Sequence, residues 1–344
     1  MKPIQKTIVF FILCFLSTGA FSNEMAAREE IKANVKFLFM NEKFKELDEI
    51  AEKYRNPKER TSSGLWKLSI FYYGFNGFTG TRFKDESYWD DLKNKVDKWI
   101  KQNPNSPTAH IAKGIILKGY AWKFRGGTWA HNVPKDAWKP FKDNLIIAEQ
   151  HMVNSGGIAS IDPHWYEVFA RIKTGLGEDS ESFKKFIDEG LDKYPNYYQL
   201  YFAAIDYLAP KWHGDKLEIE FFANKAVERT RISEGMGLYA RIYWYASQTQ
   251  YDERLFSESN VVWSKMREGI FDVIATHPDS WNIQNFAFFS CLARDQDTTR
   301  ALLDKMKTPM IMKAWKKQEY YEYCKKHAYA SPNKQIQPTA ISSS

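Results

Sequence analysis

Three cysteines in 344 residues are too few for a disulfide-dense small fold or a cysteine-based zinc framework. The seven histidines are scattered and not paired at ligand spacing, so neither a metal nor a cofactor is expected. The chain has no phosphate-binding loop, no serine-nucleophile elbow and no dinucleotide-binding loop. Strand-like alternation of apolar and polar residues is lacking too, which argues against sheet folds. Beyond residue 22 no apolar stretch is long enough to cross a bilayer, which takes about 20 residues. A concentrated basic stripe of the kind nucleic acid selects is also missing. The densest lysines, Lys313, Lys316, Lys317, Lys325 and Lys326, fall in the last helical segment and read as a solvated face.

What is present begins with an export signal. Lys2 and Lys6 supply a positive start, Ile8 to Leu16 an apolar core, and Ala20-Phe21-Ser22 a small-x-small cleavage site. Residues 1–22 therefore read as a signal peptide, with an uncleaved anchor as the rival. Cys14 does not suit lipid attachment, because Ile12 and Leu13 precede it where small residues are needed. The expected mature chain starts near Asn23 and is periplasmic or secreted. Removing Lys2 and Lys6 from 49 basic residues leaves 47 against 42 acidic ones, a mild net +5. Cys291 and Cys324 remain. An oxidising compartment permits a bridge between them, while Cys291, inside the apolar run Phe286 to Leu292, reads equally well as a buried free thiol.

An apolar content of 44% is ample for a core, and the 16% of aromatic residues recur mostly at helical spacing, as core fillers do. Nearly every segment reads as helix. Three hinges punctuate the chain: Asn103-Pro104-Asn105-Ser106, Tyr194-Pro195-Asn196-Tyr197 and His277-Pro278-Asp279-Ser280. Each precedes an apolar helical run, a short break and a second amphipathic run. Ser106-Pro107 and Asp162-Pro163 are start signals, a capping side chain followed by proline in the first turn. The spacing predicts helices over 31–54, 65–78, 107–124, 138–153, 163–174, 197–208, 217–231, 236–251, 261–274, 280–293, 298–306 and 312–327, with others around Trp89 to Ile100 and Phe183 to Tyr194. Gly126-Gly127 and Gly156-Gly157 are expected stops. Residues 23–330 form one helical domain, and 331–344, polar and without periodicity, are expected to be disordered.

The third unit carries a resemblance. Ala287, the break Arg294-Asp295-Gln296-Asp297, Ala301 and Leu302-Leu303 resemble a tetratricopeptide pair, in which small residues sit where two helices cross. Hinge-to-hinge spacing is 91 and then 83 residues, against about 34 in that family. The implied architecture is thus all-α: stacked antiparallel helix pairs in a degenerate tetratricopeptide-like α-solenoid. Phe44-Lys45-Glu46-Leu47-Asp48, Ala121-Trp122-Lys123-Phe124-Arg125-Gly126 and Leu208-Ala209-Pro210-Lys211-Trp212-His213-Gly214 resemble bacterial helical proteins grouped as a domain of unknown function. That resemblance covers roughly residues 35–320 and implies no activity. Pro332 to Ala340 is similar to tails made where a reading frame enters an integron cassette recombination site, which implies a mobile gene.

Three polar clusters are candidates for chemistry. In Trp212-His213-Gly214-Asp215, His213 could act as a base oriented by Asp215, although Pro210, Gly214 and Asp215 also describe a rigid turn with a helix cap. Arg125-Gly126-Gly127-Thr128, with Trp129 and His131, could hold an anion, but a helix stop at Gly126 explains the glycines. Asp162-Pro163-His164-Trp165-Tyr166-Glu167 places His164 and Glu167 one turn apart, with Asp162 as cap. Two functions fit. One is an exported interaction module whose groove, lined by Trp122, Arg125, Trp129, His131, Trp212, His213 and Asp215, takes an envelope protein or peptide segment. The other is an envelope hydrolase on a helical toroid, using His213 and Asp215 on glycan or peptide. Convergence of His131, His164, His213, Asp162 and Asp215 in one pocket would favour the hydrolase.

Overall fold

The computed structural model describes residues 24–80, 85–128, 130–210 and 214–331. These residues are all-helical. Among them an isolated bridge between Arg60 and Trp66 is the sole β pairing. The expected export signal, nearly all of the polar tail, and Trp129, Trp212 and His213 lie outside the described residues.

Local chemistry sets several helix starts. Helix α1 (Glu24–Met40) is followed by α2 (Phe44–Arg55), α3 (Lys67–Thr79) and α4 (Glu86–Gln102). At the first hinge the Ser106 hydroxyl accepts from the Ala109 amide and Pro107 opens α5 (Pro107–Arg125). Helix α6 spans Trp138–Ala159, and Asp162 caps α7 (Pro163–Leu176) by accepting from the His164 amide. Next come α8 (Ser180–Lys193), α9 (Tyr198–Leu208), α10 (Lys216–Glu234) and α11 (Gly237–Ala246), which runs into a π turn, Ser247–Tyr251. A one-turn α12 (Leu255–Glu258) precedes α13 (Trp263–Thr276). After the third hinge Asp279 caps α14 (Ser280–Leu292), followed by α15 (Gln296–Leu303), α16 (Met312–Trp315) and α17 (Gln318–Ala328).

Four expected boundaries are corrected. The stretch 31–54 is two helices, because Glu42 takes a left-handed φ of 55° and lets Phe39 and Phe44 both enter the core. Gly156-Gly157 does not stop α6. A Cβ at Gly156 would lie 3.3 Å from the Trp165 ring, so the glycine serves the crossing of α6 and α7. The run 236–251 leaves α-helical geometry after Ala246. The segment 312–327 breaks at Lys316 (φ 63°), where fully buried Trp315 donates Nε1–H to Gln284 Oε1 at 3.0 Å.

The helices pack in two layers. One is a succession in which α1 meets α3, α3 meets α5, α5 meets α7, α7 meets α9 and α9 meets α11. The intervening helices cover it: α4 and α6 lie on α5, α8 on α7 and α9, and α10 on α9 and α11. Aromatic rings fill the space between, with Phe44 stacked on Trp99 at 5.3 Å and Phe183 on Tyr207 at 3.7 Å.

Two polar connections tie distant parts together. At the end of α2, Arg55 Nε donates to Asp162 Oδ2 (2.8 Å) and Nη2 to Thr108 Oγ1 (2.6 Å), while the Tyr72 hydroxyl donates to the same Asp162 oxygen (2.7 Å). The loop 56–66 reaches the two later hinges. Arg60 donates to the Asn196 carbonyl, Ser62 to Asp279, and both Arg241 and Asn282 to the Ser63 carbonyl. Gly64, at φ 91°, lets the loop close on His277, because a Cβ there would come within 2.5 Å of the ring.

Cys291 and Cys324 are joined by a disulfide. The bridge closes a loop over a sequence separation of 33, for which chain-entropy arguments give about 3–4 kcal/mol. Replacing both cysteines by serine should lower unfolding stability by roughly that amount in a urea titration; equal stability would show that the bridge constrains nothing. Asp162→Ala should cost about 3–5 kcal/mol in the same titration, since it strands the largely buried Arg55 guanidinium. A loss below about 1 kcal/mol would mean the pair is not central.

Candidate ligand-binding cavity

A polar cavity of about 470 Å³ opens where the first layer of helices runs side by side. Tyr73, Asn76 and Thr79 reach it from α3, and Lys118, Gly119 and Trp122 from α5. Glu167, Arg171 and Thr174 come from α7, Asp206 from α9, Tyr245 from α11 and Thr249 from the π turn. Gly119 makes the geometry possible: a Cβ there would fall 2.3 Å from the Thr79 Cβ, so only glycine lets α3 and α5 approach so closely. The π turn belongs to the same wall, a placement typical of functional sites.

Arg171 organises the charges. Its Nε donates to Glu167 Oε1 and its Nη1 to Asp206 Oδ2, and the Tyr245 hydroxyl donates to that same Asp206 oxygen at 2.6 Å. Burial alone would push the Glu167 carboxyl up; Arg171, His164 and Lys118 together outweigh it and hold the pKa down at about 2. Below the cavity His164 lies flat on the Tyr72 ring, centroids 4.3 Å apart, with Nδ1 2.7 Å from the Tyr197 hydroxyl. Its Nε2 is 3.5 Å from Glu167 Oε2, too far for a hydrogen bond. Burial lowers the His164 pKa to about 4, so the ring is neutral at pH 7.

Arg171 contacts both carboxylates, and Lys118 adds a second positive charge that acts on Glu167 from beyond ion-pair distance. Among the described residues its ammonium makes no hydrogen bond or ion pair, and the Asn76 amide side chain on the neighbouring helix is likewise unpaired. Burial lowers the Lys118 pKa to about 8. The amine is thus still mostly protonated at neutral pH.

The candidates named from sequence distribute as follows. Trp122 lines the cavity and meets Phe141 edge-on at 5.2 Å. Arg125 is buried next door, donating to the Gly126 and Thr128 carbonyls with its guanidinium over the Trp122 and Trp138 rings. It braces the end of α5. His131 is exposed in the short turn Ala130–Asn132. Asp215 caps α10, accepting from the Leu217 and Glu218 amides at 2.7 and 3.0 Å. It borders a separate, mostly apolar hollow of about 270 Å³ between α8 and α10, edged by the exposed Leu217 and Phe221. Asp162 and His164 are buried together near Tyr72, and no described hydrogen bond or ion pair connects them to Asp215. Sequence reasoning missed Asn76, Lys118, Arg171 and Asp206. A signal was available: Lys118 interrupts the apolar run Ile115 to Trp122, and Asp206 interrupts Tyr201 to Leu208.

Among the described residues no group of three or more His, Cys, Asp or Glu side chains is disposed to hold a metal ion. No described helix is long and apolar enough to cross a membrane. In comparisons with known proteins, no family model, curated protein or solved structure matches the chain.

Burial depresses His151, His164 and His277 alike to about 4, from an ordinary value of 6.5. A histidine whose folded pKa is lowered stabilises the fold fully above its unfolded pKa and loses that contribution as pH falls. Thermal stability should therefore decline as pH drops from 6.5 toward 4. His151→Gln, whose amide can still donate to the His110 carbonyl that the His151 ring meets at 2.9 Å, should flatten the decline. A melting temperature constant across that window would contradict this account.

Proposed function

We propose that this chain is an exported binding module of the bacterial envelope, a degenerate tetratricopeptide-like array of helix pairs that holds a segment of a partner protein in its inner cavity. One observation carries the reading: a 470 Å³ polar cavity framed by successive first-layer helices, in which two polar side chains are left unspent. Lys118 and Asn76 are only partly buried and turn their polar groups to the cavity, where a ligand can meet them without breaking a contact of the fold. The alternation of covered and covering helices supports the repeat architecture. Export is supported by the signal-like first 22 residues and by the Cys291–Cys324 bridge, which suits an oxidising compartment. The hydrolase alternative has less behind it, since the Asp215 carboxylate is committed to capping α10.

A photo-crosslinking amino acid at Thr249, inside the cavity, and at Lys139, exposed on α6, tests the reading in a Gram-negative host. The expected result is a discrete envelope-protein adduct from position 249 and none from 139, on a chain whose mature end is near Asn23. No adduct from the cavity position, with the protein exported and folded, would overturn it.

A further inference from the structure

A second, smaller cavity of about 140 Å³ shares Tyr245 with the first. Arg28 of α1, Ser63 of the loop 56–66 and Arg241 of α11 meet there. Phe202, Trp244 and Trp281 give it aromatic walls, the two indole centroids 6.1 Å apart. Gln248, exposed in the π turn, edges it.

The charged residues lining this cavity are both cations. Arg28 is committed: its Nε donates to Glu24 Oε1 at 2.6 Å and its Nη2 to the Ser63 hydroxyl at 2.8 Å. Glu24 is in turn fully engaged by Arg28, Ser62 and Ser63. Arg241 has no such partner. It is 3% exposed, and among the described residues it forms no ion pair. Its Nη2 donates to the Ser63 carbonyl at 2.9 Å, Nε is buried without an acceptor, and Nη1 makes no hydrogen bond. The Tyr198 ring lies 4.8 Å from the guanidinium carbon, but the Tyr198 hydroxyl is bonded to Glu234. The other charges nearby are occupied as well. Arg60 donates to backbone carbonyls, Asp279 caps α14 and accepts from Ser62, and burial leaves the His277 ring neutral at pH 7.

A guanidinium taken out of water without a counter-charge is costly, and an anion bound beside it removes that cost. The planar fork of Arg241 suits a carboxylate. A phosphate dianion fits worse, because Arg28 is already neutralised by Glu24 and one positive charge remains for it. The ring walls favour a ligand with an apolar body, and a cavity of about 150 Å³ is enough for a benzene ring. We propose that this cavity binds a monoanionic carboxylic acid whose body is about the size of one six-membered ring. The carboxylate sits between Arg241 and Arg28, and the body lies among Phe202, Trp244 and Trp281. The site stands or falls apart from the partner-binding reading, because the Thr249 cross-link reads the other cavity.

Calorimetric titration of the folded chain at low salt tests the site. The probes are benzoate, cyclohexanecarboxylate and 3-methylbutanoate, each with its primary amide, and inorganic phosphate. At least one acid should bind and raise the melting temperature, with its amide at least about tenfold weaker, the difference a charged hydrogen bond makes. Equal binding of acid and amide, tighter binding of phosphate, or no binding by any of the three acids overturns the proposal. Arg241→Met should abolish the preference for acid over amide. Because Arg241 also holds the Ser63 carbonyl, Gln248→Trp serves as a second variant: it plugs the exposed rim, leaves both guanidiniums intact, and should fold normally while losing the acid. Acid binding undiminished in either folded variant would place the ligand elsewhere and sink the assignment.

Discussion

The ion pair between Arg55 and Asp162 fixes the relation of four helices at one point. Asp162 accepts from the first turn of its own helix, from Arg55 at the end of α2 and from Tyr72 on α3, and Arg55 reaches on to Thr108 at the start of α5. Burying a carboxylate this deeply is tolerable because its partner and hydrogen bonds are in place before any is lost to water. Burial still raises the Asp162 pKa, so the pair holds position more than it adds raw stability. Its effect on the cavity is direct: α3, α5 and α7 are the helices it aligns, and they carry most of the polar lining.

One turn deeper the same logic changes sign. Around Glu167 and Asp206 every acidic group is matched by Arg171 or a tyrosine hydroxyl. Lys118 adds its charge to Glu167 without touching it. A protein selected for stability alone would place an apolar residue there, as the flanking sequence Ile115-Ile116-Leu117 does. A half-buried lysine with no ion-pair contact, set beside a cavity, is the kind of local inconsistency that marks a binding or reactive position.

How much of this could be read beforehand depended on range. Helix starts at Ser106, Asp162 and Asp279 were legible because capping is settled within three residues. The breaks at Glu42 and Lys316 were not, since each exists to seat a distant aromatic: Phe44 against Trp99, and Trp315 against Gln284. Gly156-Gly157 misled for the same reason, its role being set by Trp165 across the crossing. Of the site, Trp122 was named from its motif, and Glu167 from its spacing to His164. Asn76, Lys118, Arg171 and Asp206 sit on four different helices, and no local pattern announces that four faces will converge.

The docking of the loop 56–66 onto both later hinges has a kinetic consequence. Ser62 meets Asp279 across 217 residues, and Asn282 meets Ser63 across 219. A chain that is synthesised or threaded from its N-terminus has α1 to α3 in hand long before their partners exist. Its first helices must wait, with part of their polar loop unsatisfied, until the final third of the polypeptide arrives. Closure of that loop is therefore a late event, and it converts a growing row of helices into a finished molecule only once α14 is complete.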